Sequence, residues 1–379
     1  MGDEQHDWAD FRRQMPIARR WAYLDHAAVS PLPEPARAAL AQWALDATEN
    51  GDTAWPGWAR QAEELRGLLA NLLGAAEEEI ALVHNTTEGI NLVAEGLPWT
   101  PGDNVVTLAD EFPSNQYAWL ALADKGVETR RVTTNGGSVD LDRVAAACDP
   151  RTRVLTVSWV SYSSGWRNDL DRLAEIAHKQ GALLFVDAIQ GLGVVPLDVR
   201  STSVDFLAAD GHKWLLGPEG MGVFFIRREH LDRLRPMGLG WHSVVHDHDF
   251  SRIVLDVKPS AARYEGGSQN MAGAIALKAS LQVLGRFGAQ ALFRRIGEVT
   301  QLACARLEQI GARIRSDRSP EHRSGIVIFD LPGCDPQQLR RRCLEQGVVL
   351  SCRGGGLRIS PHGYNDASDI ERLVEAIAS

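Results

Sequence analysis

An acidic residue and a lysine each follow a short apolar segment of this sequence, and together they could bind pyridoxal phosphate (PLP). Asp187 ends the segment 182–186, and Lys213 comes shortly after the segment 206–209. A lysine can hold the PLP aldehyde as a Schiff base, while an acid keeps the pyridine nitrogen protonated so that the ring accepts electrons. Taken singly, Lys213 could be a surface lysine and Asp187 a turn residue, since both types are common in loops. Their joint occurrence at strand ends favours the cofactor site.

The elements that must position these two residues alternate between strand and helix patterns. Apolar runs such as 80–83 and 104–108 predict buried strands, and amphipathic stretches between such runs predict helices. This alternation predicts an α/β fold with a mostly parallel sheet in a large domain over 22–260. We expect a smaller C-terminal α+β domain over 261–379, with 1–21 packing on it.

Two tryptophans lie close together between two predicted helices. The patterns at 36–50 and 59–73 predict helices, and Trp55 and Trp58 flank the pair Pro56-Gly57, which predicts a turn. Tryptophans in such a place often line an interface or a pocket.

Composition excludes several function classes. The chain has 379 residues, 44% of them hydrophobic and 23% charged, with a net charge of -9. This balance is typical of a globular protein and argues against a nucleic-acid partner, which would require a basic surface. No apolar run is long enough to span a membrane, and the acidic start is unlike a secretory signal. Five cysteines, an odd number in a long chain, favour reduced thiols and a cytoplasmic location.

The segments Val-Asp-Ala-Ile-Gln at 186–190 and Ala-Asp-Gly-His-Lys at 209–213 resemble the cofactor-binding core of the class V aminotransferase family. That family includes cysteine desulfurases and isopenicillin N epimerase-like enzymes, and the similarity runs through nearly the whole chain. The resemblance implies a PLP-dependent transferase of fold type I. It also implies that Gln190 bonds the ring hydroxyl and Schiff-base region, and that His212 is a phosphate ligand.

Three further positions concern the cofactor. Thr86 and Thr87 begin a predicted helix, where free N–H groups attract a phosphate, although an ordinary threonine cap would look the same. The resemblance favours the phosphate site, with Thr87 donating from its side chain and Thr86 from its backbone. Phe112 stands where many desulfurases carry a histidine stacked on the ring; phenylalanine can stack but cannot exchange protons.

The turn 264–270 is similar to a family turn whose hydroxyl residue reaches the partner subunit's phosphate. Ser268 would supply that hydroxyl here, which implies a homodimer with shared sites. A plain glycine-rich turn before a helix is the alternative.

Arg358 matches the family's carboxylate-binding arginine, whose planar fork suits an amino acid. The segment containing His26 and Ala28 is similar to one that touches substrate, although His26 could equally be a turn histidine without a role. Arg353 could be a second contact or a turn residue. Asp210 replaces a phosphate-binding serine, so its carboxylate must point elsewhere or pair with a cation.

Desulfurases carry a nucleophilic cysteine on a flexible loop, and this chain is too short at 351–357 to form it. Cys352 is the nearest thiol and fits a strand-end residue better than a persulfide carrier. We therefore expect a PLP enzyme that acts on an L-amino acid through an external aldimine, with β-elimination such as C–S cleavage favoured. Lys213, Asp187 and Arg358 would be its catalytic residues.

Epimerisation and transamination begin with the same loss of the α-proton and stay open as alternatives. A catalytically silent PLP-fold binding protein is a further alternative. The presence of both Asp187 and Lys213 argues against it. A dinucleotide-binding oxidoreductase would need a Gly-x-Gly-x-x-Gly turn after the first strand, which is absent. The histidines and acids at 242–249 lack the fixed spacing of a metal motif, and no metal site is expected.

Overall fold

The computed structural model of the protein describes residues 6–378, which form eleven α-helices and thirteen strands. The helices are α1 (Trp8–Arg13), α2 (Glu34–Glu49), α3 (Trp55–Leu73), α4 (Thr86–Gly96), α5 (Ser114–Leu120), α6 (Leu141–Ala147), α7 (Leu170–Lys179), α8 (Met271–Gly285), α9 (Ala289–Gln309), α10 (Pro336–Glu345) and α11 (Ala367–Ala378). The strands are β1 (Ala22–Tyr23), β2 (Ile80–Val83), β3 (Asn104–Leu108), β4 (Glu128–Val132), β5 (Thr152–Ser158), β6 (Leu183–Asp187), β7 (Phe206–Asp210), β8 (Gly222–Ile226), β9 (Arg313–Ile314), β10 (Val327–Asp330), β11 (Val348–Val349), β12 (Ser351–Arg353) and β13 (Gly356–Ile359).

Seven strands form a central sheet in the order β2-β8-β7-β6-β5-β3-β4. The pairs from β7 to β4 are parallel, whereas β8 is antiparallel to both β7 and β2. Along β6, alternate side chains pack in two different hydrophobic clusters: Leu184 and Val186 in one, Leu183 and Phe185 in the other. Because successive side chains of a strand point to opposite faces, both faces of this sheet are buried.

Close contact between α4 and the sheet fixes the position of the helix start. A Cβ at Gly89 would lie 2.5 Å from the Cβ of Ala208 on β7, so only glycine allows this approach. The start of α4 therefore lies directly beside the strand that leads to Lys213.

A second, antiparallel sheet has the order β12-β13-β10-β9, and β1 pairs with β11 in a separate two-stranded sheet. The bridge from Asp25 to Ser360 continues the contact between the N-terminal segment and the C-terminal part of the chain. These pairings bring Asp25 next to the hairpin formed by β12 and β13. The domain boundary at 260/261 stays a prediction.

Most predicted elements of the large sheet are confirmed, including the strands 80–83 and 104–108. The predicted turn at Pro56-Gly57 is wrong, because both residues lie in the first turn of α3, which begins at Trp55. Proline is tolerated there because its missing N–H would have no partner within the helix. Within residues 6–378, no helix combines the length and apolar character that crossing a membrane requires.

Candidate active site

Asp187 and Lys213 lie at the carboxyl edge of the central sheet. Asp187 is the last residue of β6 and is 3% exposed, and within the described residues its carboxylate accepts one hydrogen bond, from Ile189 N to Oδ1 at 3.1 Å. In the described part of the chain its other carboxylate oxygen has no hydrogen-bond donor. Lys213 follows β7, is half-buried, and its Nζ lies 5.8 Å from the ring centroid of Phe112.

Burial shifts the pKa values of both groups towards neutral pH, raising that of Asp187 and lowering that of Lys213. It raises the pKa of Asp187 to about 6, while the backbone N–H of Ile189 and the charge of Lys213 oppose this rise. Burial also lowers the pKa of Lys213 to about 8, with the Asp187 charge opposing and Arg358 adding to the decrease. A lysine that loses its proton near pH 8 is a far better nucleophile towards an aldehyde than an ordinary lysine.

A tight turn holds Lys213 in place. Leu216 has a φ of 57°, which is the one left-handed conformation of a non-glycine residue within 6–378. Its N–H donates to Lys213 O at 3.1 Å, and Gly217 N donates to Gly211 O at 2.8 Å. Such strained backbone persists where the surrounding contacts fix it, and it often accompanies functional sites.

The start of α4 offers free N–H groups beside His212. Thr86 is buried and its Oγ1 accepts from Asp210 N at 2.9 Å, whereas the Thr87 hydroxyl is exposed and contacts Ser114 Oγ at 2.8 Å. Asp210 Oδ2 lies 3.0 Å from His212 Nδ1, in an orientation that does not make a directed hydrogen bond. The Asp210 carboxylate thus faces Nδ1 of the ring, which leaves Nε2 as the nitrogen that could meet an anion.

Gln190 and His26 are occupied by protein partners. Gln190 donates to Ala27 O at 3.0 Å and accepts from Trp214 Nε1 at 2.9 Å. His26 is fully buried; Nδ1 lies 2.9 Å from Ser360 O, and Nε2 lies 3.0 Å from the Tyr364 hydroxyl. Burial holds the pKa of His26 well below its usual value. The structure thus leaves the His26 ring no free nitrogen for a substrate, and the half-buried Ala28 lies in the turn beyond it.

Arg358 lies on β13, is 1% exposed, and has three acceptors among residues 6–378. It donates to Ser351 Oγ at 3.1 Å, Tyr162 O at 3.0 Å and Asp25 Oδ1 at 3.0 Å. A guanidinium has five N–H groups, so two remain, one on each terminal nitrogen. That pair is suited to the two oxygens of a carboxylate.

The alternation of side chains along β12 separates Cys352 from Arg358. Ser351 is opposite Arg358 and contacts it, whereas Cys352 is opposite Leu357 on the other face. Cys352 packs against the core of the smaller sheet, its Sγ contacts Pro336 O at 3.4 Å, and burial raises its pKa. Arg353 is exposed on the Arg358 side of the hairpin.

Ser268 is exposed in the turn before α8. Several large apolar side chains on the segment 239–255 are also exposed, among them Phe250 at 72%, Ile253 at 91% and Leu255 at 71%. Apolar exposure of this extent is typical of a surface that another molecule covers.

Two acids of the site were given no role from the sequence. Asp25 accepts from Arg358, and the buried Glu111 accepts hydrogen bonds from Ser158, the register partner of Asp187. Glu111 directly precedes Phe112, so the sequence shows its place in the motif. The sequence does not predict its burial, because charged residues are seldom buried without a partner.

These residues fit PLP by their own chemistry. A buried carboxylate has a free oxygen, a half-buried lysine has a lowered pKa, and a helix start with free N–H groups lies beside a histidine. These features match a protonated pyridine nitrogen, an aldehyde and a phosphate, respectively.

The comparisons with known proteins agree with this fit. The family model for aminotransferase class-V matches residues 22–373. A probable cysteine desulfurase of Methanothermobacter thermautotrophicus is 33% identical, covering 97% of this chain and 96% of its own.

Solved structures share the fold over the whole chain. The apo cysteine desulfurase of Thermococcus onnurineus NA1 superposes with a TM-score of 0.89 at 26% identity, covering 100% of this chain and 98% of its own. A lysine-to-alanine variant of C-DES with glycine covalently linked to its PLP cofactor gives a TM-score of 0.91 at 23% identity, covering 97% of this chain and 98% of its own. The prediction of a fold type I α/β enzyme with PLP as cofactor is confirmed, and the chain belongs to the class V aminotransferase family.

Proposed function

We propose that this protein is a C–S lyase that cleaves a sulfur-containing L-amino acid by β-elimination. The observation that carries the proposal is the position of Lys213, which lies near enough to both Asp187 and Arg358 for the two charges to act on its pKa. The relatives named as cysteine desulfurases support a sulfur-containing substrate.

Each residue has one task in this reaction. When bound, PLP supplies an electron sink for the bond pair left at the α-carbon. Asp187 would hold the proton of the pyridine nitrogen through its free oxygen, and Arg358 would orient the substrate carboxylate with its two free N–H groups. Lys213 Nζ takes the α-proton, a role for which a pKa of about 8 is suited.

The placement of Cys352 favours elimination over transfer of sulfur to an enzyme thiol. Its side chain faces away from Arg358, and burial raises its pKa, which disfavours the nucleophilic thiolate. In the elimination, the Cβ–S bond breaks with its electron pair on sulfur, which leaves as a thiol after taking a proton. The three-carbon remainder is hydrolysed by one water to pyruvate and ammonia.

The cofactor phosphate would bind at the start of α4. Thr86 contributes its backbone N–H and Thr87 its hydroxyl, and the free nitrogen of His212 adds a further donor. Phe112, whose ring centroid lies 5.8 Å from Lys213 Nζ, would cover the pyridine ring. The Gln190 amide has a second N–H beyond the one given to Ala27, and this N–H would serve the ring hydroxyl region. Ala28, which is half-buried, would border the substrate, whereas the fully buried His26 would support this segment through its bonds to Ser360 and Tyr364.

We infer a homodimer in which Ser268 donates to the partner's phosphate. Its exposed hydroxyl and the exposed apolar side chains on 239–255 support a second copy covering this surface. All five cysteines are free thiols, which supports a cytoplasmic location. Replacing Ser268 with alanine should weaken PLP binding without changing the dimer mass measured by light scattering.

The test uses purified protein with PLP and a panel of L-cysteine, S-substituted cysteines and L-alanine. We expect a visible band, trapped on Lys213 by borohydride, and equal amounts of pyruvate and thiol from a cysteine derivative. Lys213→Ala is the control and should give neither. Pyridoxamine with a keto acid would indicate an aminotransferase, a racemised product an epimerase, and failure to take up PLP would refute the proposal.

A further inference from the structure

Glu111 is a buried acid that has no cationic partner in the described part of the chain. It follows β3, is 7% exposed, and accepts hydrogen bonds from Ser158 N at 2.6 Å and Asn115 Nδ2 at 3.3 Å. A third contact joins Ser158 Oγ to its Oε2. All three partners are neutral, which is an unusual environment for a carboxyl group.

Glu111 is linked through Ser158 to Asp187, the residue that would hold the pyridine nitrogen. Ser158, which it holds, ends β5 and is the direct register partner of Asp187 on β6. The groups that face Glu111 are therefore Ser158 from β5, Asn115 from α5 and Asp187 from β6, of which Asp187 carries charge. Burial raises the pKa of Glu111 to about 7, the Asp187 charge raises it further, and the bonds from Ser158 and Asn115 lower it.

A glutamine at this position would fill the same volume and accept from Ser158 N through its amide oxygen. Its NH2 group would face Asn115 Nδ2, where the acid accepts, so it would lose that hydrogen bond at every pH. The acid also adds a property that the amide lacks at any pH, which is a negative charge that appears near neutral pH. That charge would act on Asp187, the carboxylate that would hold the pyridine nitrogen.

We propose that Glu111 is a positioning residue that acts through Asp187: its carboxylate strengthens the hold of Asp187 on the protonated pyridine ring. This inference rests on the proposed PLP site. Asp187 needs to be ionised for the contact, and a second buried negative charge behind it favours a positive charge in front of it.

The sign of the pH dependence follows from this arrangement. A positive ring nitrogen at Asp187 lowers the pKa of Glu111 in the PLP-bound protein below its value of about 7 in the free protein. The contribution of Glu111 to PLP affinity is thus fully present above pH 7. It is lost as the pH falls through the lower pKa that Glu111 has in the PLP-bound protein. A shift of about one pKa unit corresponds to about a tenfold change in the Kd of PLP.

The experiment measures the Kd of PLP for the apo-protein between pH 5.5 and 8.5, by quenching of tryptophan fluorescence, in wild type and Glu111→Gln. The ratio of the two Kd values removes the pH effects that both proteins share, including the titration of Lys213 and of the PLP phosphate. We expect a ratio near one at about pH 5.5 that rises to about ten at pH 8.5.

Two outcomes overturn the inference: a ratio that stays constant across the pH range, which would indicate a structural role, or a ratio that falls as the pH rises. Ser158→Ala is the matched control, because it removes one hydrogen bond to Glu111 but keeps the acid: the pH dependence should persist, with its midpoint moved to higher pH because the lost bond lowers the pKa of Glu111. If wild type binds no PLP at any pH, the proposed cofactor site fails, which is a different result from a flat ratio.

Discussion

Arg358 is expected to serve both substrate binding and folding, and replacing it separates the two roles. Arg358→Ala removes the two free N–H groups that would hold the substrate carboxylate. A hydrogen bond to a charged group contributes about 1.5–3 kcal/mol, so losing both should raise KM at least about 100-fold. The visible band of the lysine-bound cofactor should persist, because Arg358 does not hold PLP.

The same substitution leaves Asp25 buried without its cation. Asp25 is 7% exposed and burial already raises its pKa, with Arg358 opposing that rise. Removing one partner of a buried pair costs about 3–5 kcal/mol of folding free energy. Without Arg358 the pKa of Asp25 in the folded protein rises further above its unfolded pKa of about 4. The variant therefore keeps its stability below about pH 4 and loses stability as the pH rises through the folded pKa of Asp25.

The double variant Arg358→Ala with Asp25→Asn tests both parts of this reasoning. It should recover most of the lost stability, measured by urea unfolding at pH 5 and 8, and should remove the added pH dependence. Its KM should stay as high as that of the single variant. A wild-type KM in a stable, PLP-loaded double variant would show that Arg358 does not bind the carboxylate.

Three other predictions concern Lys213 and Cys352. Lys213→Ala should abolish the visible band of the PLP-loaded protein, and an unchanged spectrum would refute the assignment of the lysine. The rate at which apo-protein captures PLP should increase with pH with a midpoint near 8, because the neutral amine is the nucleophile; stopped-flow absorbance measures it, and a midpoint near 10 would contradict the burial argument. Cys352→Ala should keep pyruvate and thiol release within about twofold of wild type, because the thiol lies on the other face of its strand. A loss of thiol release alone would indicate a persulfide on Cys352.

The large sheet was predictable because both of its faces are buried. Its strands appear in the sequence as short apolar runs, and Asp187 and Lys213 follow two of these runs. Because parallel strands end at the same edge of a sheet, their order in the sequence was enough to predict that the two residues lie close together. Helix starts were predicted less well: Pro56-Gly57 reads as a turn in isolation, yet the helix continues through it because its later apolar positions pack in the core.

The contacts of individual side chains were not predictable from spacing. Gln190 matches its motif, but which groups it bonds depends on Trp214 and Ala27, which come from distant parts of the chain. Asp25 and Arg358 are joined across most of the sequence by the pairing of the N-terminal segment with the C-terminal hairpin. Such long-range contacts leave no periodic signal in the sequence.

The alternation along β12 makes sulfur chemistry depend on strand register. A shift of β12 by one residue against β13 would exchange its two faces, turning Cys352 towards Arg358 and Ser351 towards the core. The Gly354-Gly355 connection that sets this register lies close to the backbone of Ser163, where a Cβ at Gly354 would lie 2.3 Å from its oxygen. An insertion of one residue in this connection, between Cys352 and Gly356, is therefore the smallest change that could turn the thiol towards Arg358, and the close contact at Gly354 opposes it.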